Sequence, residues 1–302
     1  MFTGNQAGDG TIYSNNILNI TYCTFTNNKG VSSSCGGAIE SLRGNSTVSN
    51  STFTNNSAGD GGAIQNGGDY RYAANMNIYN DIFTGNKSSY GGAIDNLGTL
   101  TVEKSTFTDN TATQIGGAIY NSGTLMVKSS TLTNNNATVD AGAIYNGGTA
   151  NIHFNRIIGN NARFGKNIFN DGIKTDATLN WWGSNAGPLS TVYNASGTLN
   201  VTPWLVLTVS AKPNSITTNN HTTITADLLH DNKGIYHNPA NGCVNNGMKI
   251  TFASRYGTLN NPVSTFNGCS VSTFKSGSKI GTASIYTKMD NQTIKTLVTI
   301  KK

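Results

Sequence analysis

One short phrase recurs with a regularity that restricts this chain to a repeat fold. Gly-Gly-Ala-Ile begins at Gly36, Gly61, Gly91 and Gly116, with Ala141-Gly-Ala-Ile as a fifth copy, at offsets of 25, 30, 25 and 25 residues. A second phrase, Phe-Thr-x-Asn, begins at Phe2, Phe25, Phe53, Phe83 and Phe107 and continues as Leu132-Thr-Asn-Asn and Ile157-Ile-Gly-Asn. The two keep a near-constant separation, so they belong to one structural unit. Self-similarity with a period of about 20–50 residues marks a stacked repeat.

Laying the copies over one another produces apolar columns. One runs Phe2, Phe25, Phe53, Phe83, Phe107, Leu132, Ile157, and another runs Ile12, Ile39, Ile64, Ile94, Ile119, Ile144, Ile168. A third runs Ile20, Val48, Ile78, Val102, Val127, Ile152, with Leu18, Met76, Leu100 and Leu125 two residues earlier. Spacing by two is strand periodicity, and no segment shows the 3.6-residue period of a helix. Three short strands in each ~25-residue unit describe one coil of a parallel β-helix, with coils stacked at the ~4.8 Å strand spacing. Two polar columns accompany them: Asn5, Asn28, Asn56, Asn86, Asn110, Asn135, Asn160, and Asn66, Asn96, Asn121, Asn146, Asn170. Stacked amides can hydrogen-bond from coil to coil at a corner, and Asn tolerates left-handed backbone angles.

After Pro203-Trp204 the repeat stops and alternating runs take over: Leu205 to Val209, Thr223 to Leu228, Met248 to Phe252, Thr282 to Tyr286 and Thr293 to Ile300. Such runs between Asn, Gly and Pro turns over about 100 residues predict an antiparallel sandwich.

Composition fits an externally exposed all-β protein. Charged residues are 11% and hydrophobic ones 36% of 302 residues, with Asn, Ser and Thr in place of charge. The net charge is +6, from Lys and Arg scattered singly, which does not predict a nucleic-acid surface. Cys23, Cys35, Cys243 and Cys269 form no Cys-x-x-Cys pair; Cys243 and Cys269 fall in one predicted domain and could bridge in an oxidising compartment. No stretch approaches the ~18 apolar residues of a membrane span. Asn-x-Ser/Thr sequons stand at Asn19, Asn45, Asn50, Asn55, Asn86, Asn136, Asn194, Asn200, Asn220 and Asn291.

A catalytic centre would need convergent carboxylates. Two groups qualify as candidates. Glu40, Gln65 and Asp95 follow the isoleucines, with Glu40 and Asp95 two coils apart. Asp9, Asp60 and Asp140 share a second column, the last two being three coils apart. Neither group has a Lys, Arg or His beside it in the sequence. Tyr120, Tyr145 and Phe169 follow three adjacent isoleucines and could shield backbone or stack on sugars. His153, His221, His230 and His237 are not spaced as metal ligands. The insertion Gly67-Gly-Asp-Tyr-Arg-Tyr-Ala73 accounts for the 30-residue offset and is the expected place for a binding loop.

The paired Gly-Gly-Ala-Ile and Phe-x-x-Asn phrases resemble those of the chlamydial polymorphic outer-membrane proteins. Residues 1–204 are more similar to the adhesin-like surface proteins of methanogenic archaea, whose coils end in a segment like Asn180-Trp-Trp-Gly-Ser-Asn-Ala-Gly-Pro188. Thr222-Thr-Ile-Thr-Ala226 and Gly281-Thr-Ala-Ser-Ile285 are similar to bacterial Ig-like domains of the invasin and intimin type. The resemblance implies a right-handed helix whose open end the Trp pair caps, and a sandwich acting as spacer or tip.

The expectation is an all-β protein: a right-handed parallel β-helix of about seven to eight coils over residues 1–204, then one Ig-like β-sandwich over 205–302. It is expected to be a non-catalytic cell-surface adhesin with no catalytic, cofactor-binding or metal residues, meeting glycans or proteins of a host or neighbouring cell. The rival is a polysaccharide lyase or glycoside hydrolase built on the same helix. Met1 opens directly into a repeat with no export signal, and Lys302 ends a strand with no anchor, as expected of a fragment or a mis-called gene start.

Overall fold

A computed structural model describes residues 1–31, 35–67 and 73–302. They form two compact units, Met1–Asn180 with Pro188–Thr202, and Trp181–Gly187 with Pro203–Lys302. The described residues contain strands and two short 3-10 turns, with no α-helix.

The first unit is a parallel β-solenoid whose three long sheets hold seven, eight and eight strands. Phe2–Thr3, Thr24–Thr26, Thr52–Thr54, Ile82–Thr84, Thr106–Thr108, Thr131–Thr133 and Arg156–Ile158 pair in chain order. Register follows the sequence columns, with Phe25 on Phe53, Phe53 on Phe83 and Phe83 on Phe107. These rings stack at 4.7–4.9 Å with 2–4° between planes, and all four are fully buried. Ile39, Ile64, Ile94, Ile119 and Ile144 align on the second sheet, and Val48, Ile78, Val102, Val127 and Ile152 on the third. Each coil buries about four large apolar side chains at ~1.5–3 kcal/mol apiece, while ordering each residue costs ~1–2 kcal/mol. One coil cannot close that gap alone, so stability depends on stacking.

Polar ladders fasten the corners. In the first, the Asn110 Oδ1 accepts both the backbone N–H (3.0 Å) and the side-chain amide (2.9 Å) of Asn86, and Asn110 passes the same two bonds on to Asn135. Its Nδ2 also donates to the Phe83 carbonyl at 3.0 Å. Every rung from Asn5 to Asn160 repeats the amide-to-amide link. The ladder asparagines do not themselves take the left-handed angle expected of them. The residue before each does: Asn27, Asn55, Asp109 and Asn134 have φ of 54–57°, and Gly4, Gly85 and Gly159 fill the other rungs. The left-handed residue makes the corner, and the asparagine after it turns its amide inward to cap the exposed backbone. A second ladder runs Asn66, Asn96, Asn121, Asn146, Asn170, Asn194.

A third ladder was not anticipated. Cys23, Ser51, Asp81, Ser105, Ser130 and Asn155 each donate a backbone N–H to the side chain one coil on, ending on Asn180. It lies two residues before the phenylalanine column. Its chemistry varies from rung to rung, so residue identity does not betray it. Position does: Asn180 stands two residues before Trp182, which falls 25 residues after Ile157.

The second glycine of each Gly-Gly pair allows backbone to approach backbone. A Cβ on Gly92 would lie 2.1 Å from the Gly117 carbonyl oxygen, and one on Gly117 would lie 2.2 Å from that of Gly142. The first glycine is dispensable where the fifth copy carries Ala141 at φ 59°.

In the second unit, Leu205–Lys212, His221–Asp231, Cys269–Ser276 and Gly257–Leu259 form a four-stranded antiparallel sheet. Ser215–Thr217, Gln292–Lys301, Gly281–Met289, Lys249–Ala253 and Val263–Ser264 form a five-stranded one, its first pair parallel. Leu207, Ile224, Leu228, Ile250, Phe252, Phe274, Ile285 and Val298 are buried. All five anticipated strands are present. Cys269–Ser276 was missed because three of its four buried positions are Ser270, Ser272 and Ser276, which conceal the alternation; Ser272 and Ser276 satisfy their hydroxyls on the Asn260 and Thr217 carbonyls. Within this unit the Trp181 indole donates to Asp290 at 2.7 Å, and the Asn185 backbone N–H donates to Gln292 at 2.8 Å.

Candidate functional site

The position after each isoleucine points away from the solenoid core by strand alternation, and the register aligns its occupants into one column. Glu40 pairs with Gln65 and Gln65 with Asp95. Asp95 then pairs with Tyr120, Tyr120 with Tyr145, Tyr145 with Phe169 and Phe169 with Tyr193. Tyr13 precedes Glu40 in the same register, so the column holds an acidic stretch between one tyrosine and a longer aromatic run.

The aromatic half is a ladder of rings. Tyr120 and Tyr145 stack at 5.1 Å, Tyr145 and Phe169 at 5.6 Å, and Phe169 and Tyr193 at 5.1 Å. Tyr120 and Tyr145 are half-buried and Phe169 is buried. Burial raises the Tyr145 phenol, and Asp171, which accepts its hydroxyl at 3.2 Å, raises it further. The strip covers the sheet beneath it, and of these four rings only Tyr193 is exposed, at 45%.

In the acidic half, Glu40, Gln65 and Asp95 are 5%, 3% and 3% exposed. The Gln65 amide reaches Asp95 Oδ2 at 3.4 Å, while Glu40 Oε2, Gln65 Oε1 and Asp95 Oδ1 accept no hydrogen bond among the described residues. Burial pushes the Glu40 carboxyl up to about 7, with Asp9 adding to the shift. Burial likewise takes Asp95 to about 7; Asp60 raises it and the Gln65 amide opposes. The second candidate column therefore meets the first, Asp9 acting on Glu40 and Asp60 on Asp95. Asp140 is also raised by burial, with Arg163 opposing, but it lies three strand steps from Asp60, through Tyr90 and Ile115. Asp81, in the third polar ladder, is the other acid that burial takes to about 7.

The Glu40, Asp81 and Asp95 carboxyls are close to the protonation balance point at neutral pH, a state suited to proton exchange. Access is their constraint, since each is almost entirely covered. No group of three or more His, Cys, Asp or Glu among the described residues is arranged to hold a metal. His153 Nδ1 lies 3.0 Å from the Thr178 carbonyl, His230 pairs with Asp227 at 2.9 Å, and His237 pairs with Asp231 at 3.0 Å. Asp231 is held below the usual carboxylate range by His237 and the backbone N–H groups of Ile235 and Lys233, against the opposing effect of burial. Cys243 lies near the Gly268–Cys269 corner, where a Cβ on Gly268 would be 3.3 Å from its own. The insertion expected to form a binding loop lies, at residues 68–72, outside the described residues. No helix among the described residues is long and apolar enough to cross a membrane.

The Chlamydia polymorphic membrane protein (Chlamydia_PMP) repeat matches the chain at residues 50–67 and 104–122, each match spanning a Phe-Thr-x-Asn phrase and the Gly-Gly-Ala-Ile that follows it. No curated protein matches the chain. Among solved structures, the Yersinia pseudotuberculosis adhesin InvE is 25% identical over 31% of this chain and 26% of its own, at a TM-score of 0.25. A C-terminal fragment of intimin, in complex with the intimin-binding domain of the translocated intimin receptor, is 16% identical over 32% of each chain, also at 0.25. A glycosyl hydrolase family 2 member from Bacteroides cellulosilyticus is 21% identical over 37% of this chain and 17% of its own, at 0.29. The chain thus spans about a quarter of InvE and a third of the intimin fragment. At these TM-scores the three likenesses bear on neither fold nor function.

Proposed function

We propose that this chain is a non-catalytic, adhesin-like component of a cell surface, working outside the cell. Residues 1–204 serve as a rigid β-helical rod and residues 205–302 as an Ig-like spacer or tip. The observation that carries this reading is how the solenoid uses its polar groups. Three ladders occupy the corner side chains in coil-to-coil hydrogen bonds, leaving a uniform framework without a cluster of accessible reactive groups among the described residues. The polymorphic membrane protein repeat at residues 50–67 and 104–122 supports a surface role. The Asn- and Thr-rich coils and the Asn180 to Pro188 segment support kinship with adhesin-like proteins of methanogenic archaea. Partners are glycans or proteins on a host or neighbouring cell.

Beads coated with the whole chain are expected to adhere to cells above the level of albumin-coated beads. The same chain, incubated with a panel of plant, bacterial and algal polysaccharides, is expected to release no reducing ends or unsaturated uronates. Absence of adhesion would remove the adhesin reading.

A second reading, a carbohydrate-active enzyme, draws on Glu40 and Asp95. Both titrate at about 7, and two strand steps separate them by ~9.6 Å, near the ~9.5 Å upper limit for inverting glycosidases. Their burial counts against it. Product release that disappears in Glu40→Gln would establish the enzyme instead.

A further inference from the structure

The positive charge of this protein is unevenly placed, although its lysines and arginines are not. Residues 1–202 contain ten Lys and Arg against eleven Asp and Glu, whereas residues 203–302 contain ten against three. The entire excess therefore resides in the second unit. Strand alternation directs part of it to one surface. On the five-stranded sheet, Ile250, Phe252, Ala283, Ile285, Thr287, Val298 and Ile300 are buried, so the residues between them form the outer face. That face carries Lys249, Thr251 and Ala253 on one strand, Thr282, Ser284, Tyr286 and Lys288 on the next, and Thr293, Lys295, Leu297, Thr299 and Lys301 on the third.

The register sets three of the lysines in a line. Thr251 is opposite Lys288, and Tyr286 is opposite Lys295. Lys249 is thus displaced from Lys288 by one strand and two residues, and Lys288 from Lys295 by the same step in the same direction. Diagonal neighbours of this kind sit ~7–8 Å apart, so the ammonium groups follow a straight diagonal of evenly spaced charges. All three side chains are exposed, and none forms an ion pair among the described residues. The three carboxylates of this unit are elsewhere: Asp227 and Asp231 on the other sheet, paired with histidines, and Asp290 in the hairpin turn, bonded to Trp181. Tyr286, 47% exposed, stands beside Lys295, and hydroxyls fill most of the remaining face.

We infer that this diagonal is a docking surface for a linear acidic polysaccharide bearing carboxylates along its length. Charge complementarity supplies the attraction, an exposed phenol ring offers a stacking surface for a sugar, and threonine and serine hydroxyls match sugar hydroxyls. The row contains lysines only, point charges that pair with carboxylate or phosphate alike, so the exposed phenol and the surrounding hydroxyls, which suit sugar rings, carry the choice of a carboxylated glycan over a nucleic acid. The inference rests on the adhesin reading for its biological setting, not for its chemistry.

Polygalacturonate is the probe, with its fully methyl-esterified form as the neutral counterpart, and immobilised whole chain is titrated at moderate salt. The Lys249→Gln, Lys288→Gln, Lys295→Gln triple variant is compared with Lys212→Gln, Lys233→Gln, Lys275→Gln, which removes equal charge away from this face. The diagonal triple is expected to weaken polygalacturonate binding at least tenfold, the control triple less than twofold, and Tyr286→Ala several-fold, with the esterified polymer unbound. All variants alter exposed side chains, and unchanged thermal unfolding confirms that they fold. Equal losses in the two triples would overturn the inference, as would no binding of polygalacturonate by the wild-type chain. Duplex DNA bound as tightly and through the same lysines would also overturn it, by making the face a general polyanion surface. Cell adhesion that persists in the diagonal triple, with polygalacturonate binding already absent from the wild-type chain, defeats this inference alone. Polygalacturonate binding by a chain that adheres to no cell defeats the adhesin reading alone.

Discussion

Removing one rung of the main asparagine ladder tests whether coil-to-coil hydrogen bonding holds the rod. Asn110 is fully buried and takes part in six hydrogen bonds: its side-chain oxygen accepts two from Asn86, its backbone and side-chain amide give one each to Asn135, its side-chain amide gives one to the Phe83 carbonyl, and its own carbonyl accepts one from the Asn136 N–H. Asn110→Ala keeps the two backbone bonds and deletes the four made by the side chain. Each buried bond is worth ~0.5–1.5 kcal/mol net, and the abandoned Asn86 N–H and Phe83 carbonyl have no water to turn to, so the loss should be about 3–5 kcal/mol. Asn161 is the control: its side chain makes one exposed bond to Asn136 at 2.8 Å, and Asn161→Ala should cost less than about 0.5 kcal/mol. Urea unfolding of the whole chain, followed by far-ultraviolet circular dichroism, measures both. Asn110→Asp adds a second reading, because a carboxylate accepts from Asn86 but would face the oxygens of Asn135 and Phe83. It should destabilise more at pH 8 than at pH 5. If Asn110→Ala and Asn161→Ala shift the urea midpoint equally, the ladders decorate a rod that apolar stacking alone supports.

Three further outcomes follow from the same structure. Gly92→Ala would place a methyl 2.1 Å from the Gly117 carbonyl oxygen and should lower the melting temperature sharply, whereas Gly116→Ala, whose methyl would lie 2.7 Å from the Ile119 carbonyl oxygen at a φ of 72°, should cost less, since the next coil accommodates Ala141 at φ 59°. Glu40, Asp81 and Asp95 have folded-state values raised to about 7, so the native state holds their protons more tightly than the unfolded chain does. Their stabilising contribution is complete below about pH 4 and disappears as pH rises through 7, so stability should fall between pH 5 and pH 8, and a rise across that window would contradict the assignment. Asp81→Asn should stabilise at pH 8 by about 2–4 kcal/mol and by less at pH 5, because the Asp81 carboxyl is buried with one oxygen lacking a donor, while the Asn155 rung of the same ladder shows that an amide fits. Urea midpoints at the two pH values test both claims.

The period of the chain was enough to determine the solenoid. Identical spacing of Phe53, Phe83 and Phe107 forces identical side chains into register, since a slip of one residue would turn each apolar column outward. The alternation of residues such as Ile250 and Phe252 similarly declared the sandwich strands. Local pattern could not reveal what depended on neighbours distant in sequence. The third ladder mixes Ser51, Asp81, Ser105 and Asn155, which share a position and not a chemistry, so the spacing marks where it runs but only the fold shows that each caps the coil before it. Cys269–Ser276 hid because most of its inward positions are serines, two of which are satisfied by the distant carbonyls of Asn260 and Thr217. The protonation of Glu40 and Asp95 was invisible for a related reason: the sequence places a carboxylate on an outward column, but burial is set by the segments that come to cover it. The lysine diagonal is the same case, since three residues spread from 249 to 295 become a line only when strand pairing fixes their offsets. Repetition carries its own register along the chain, whereas burial and charge geometry arise from packing between segments that the sequence keeps apart.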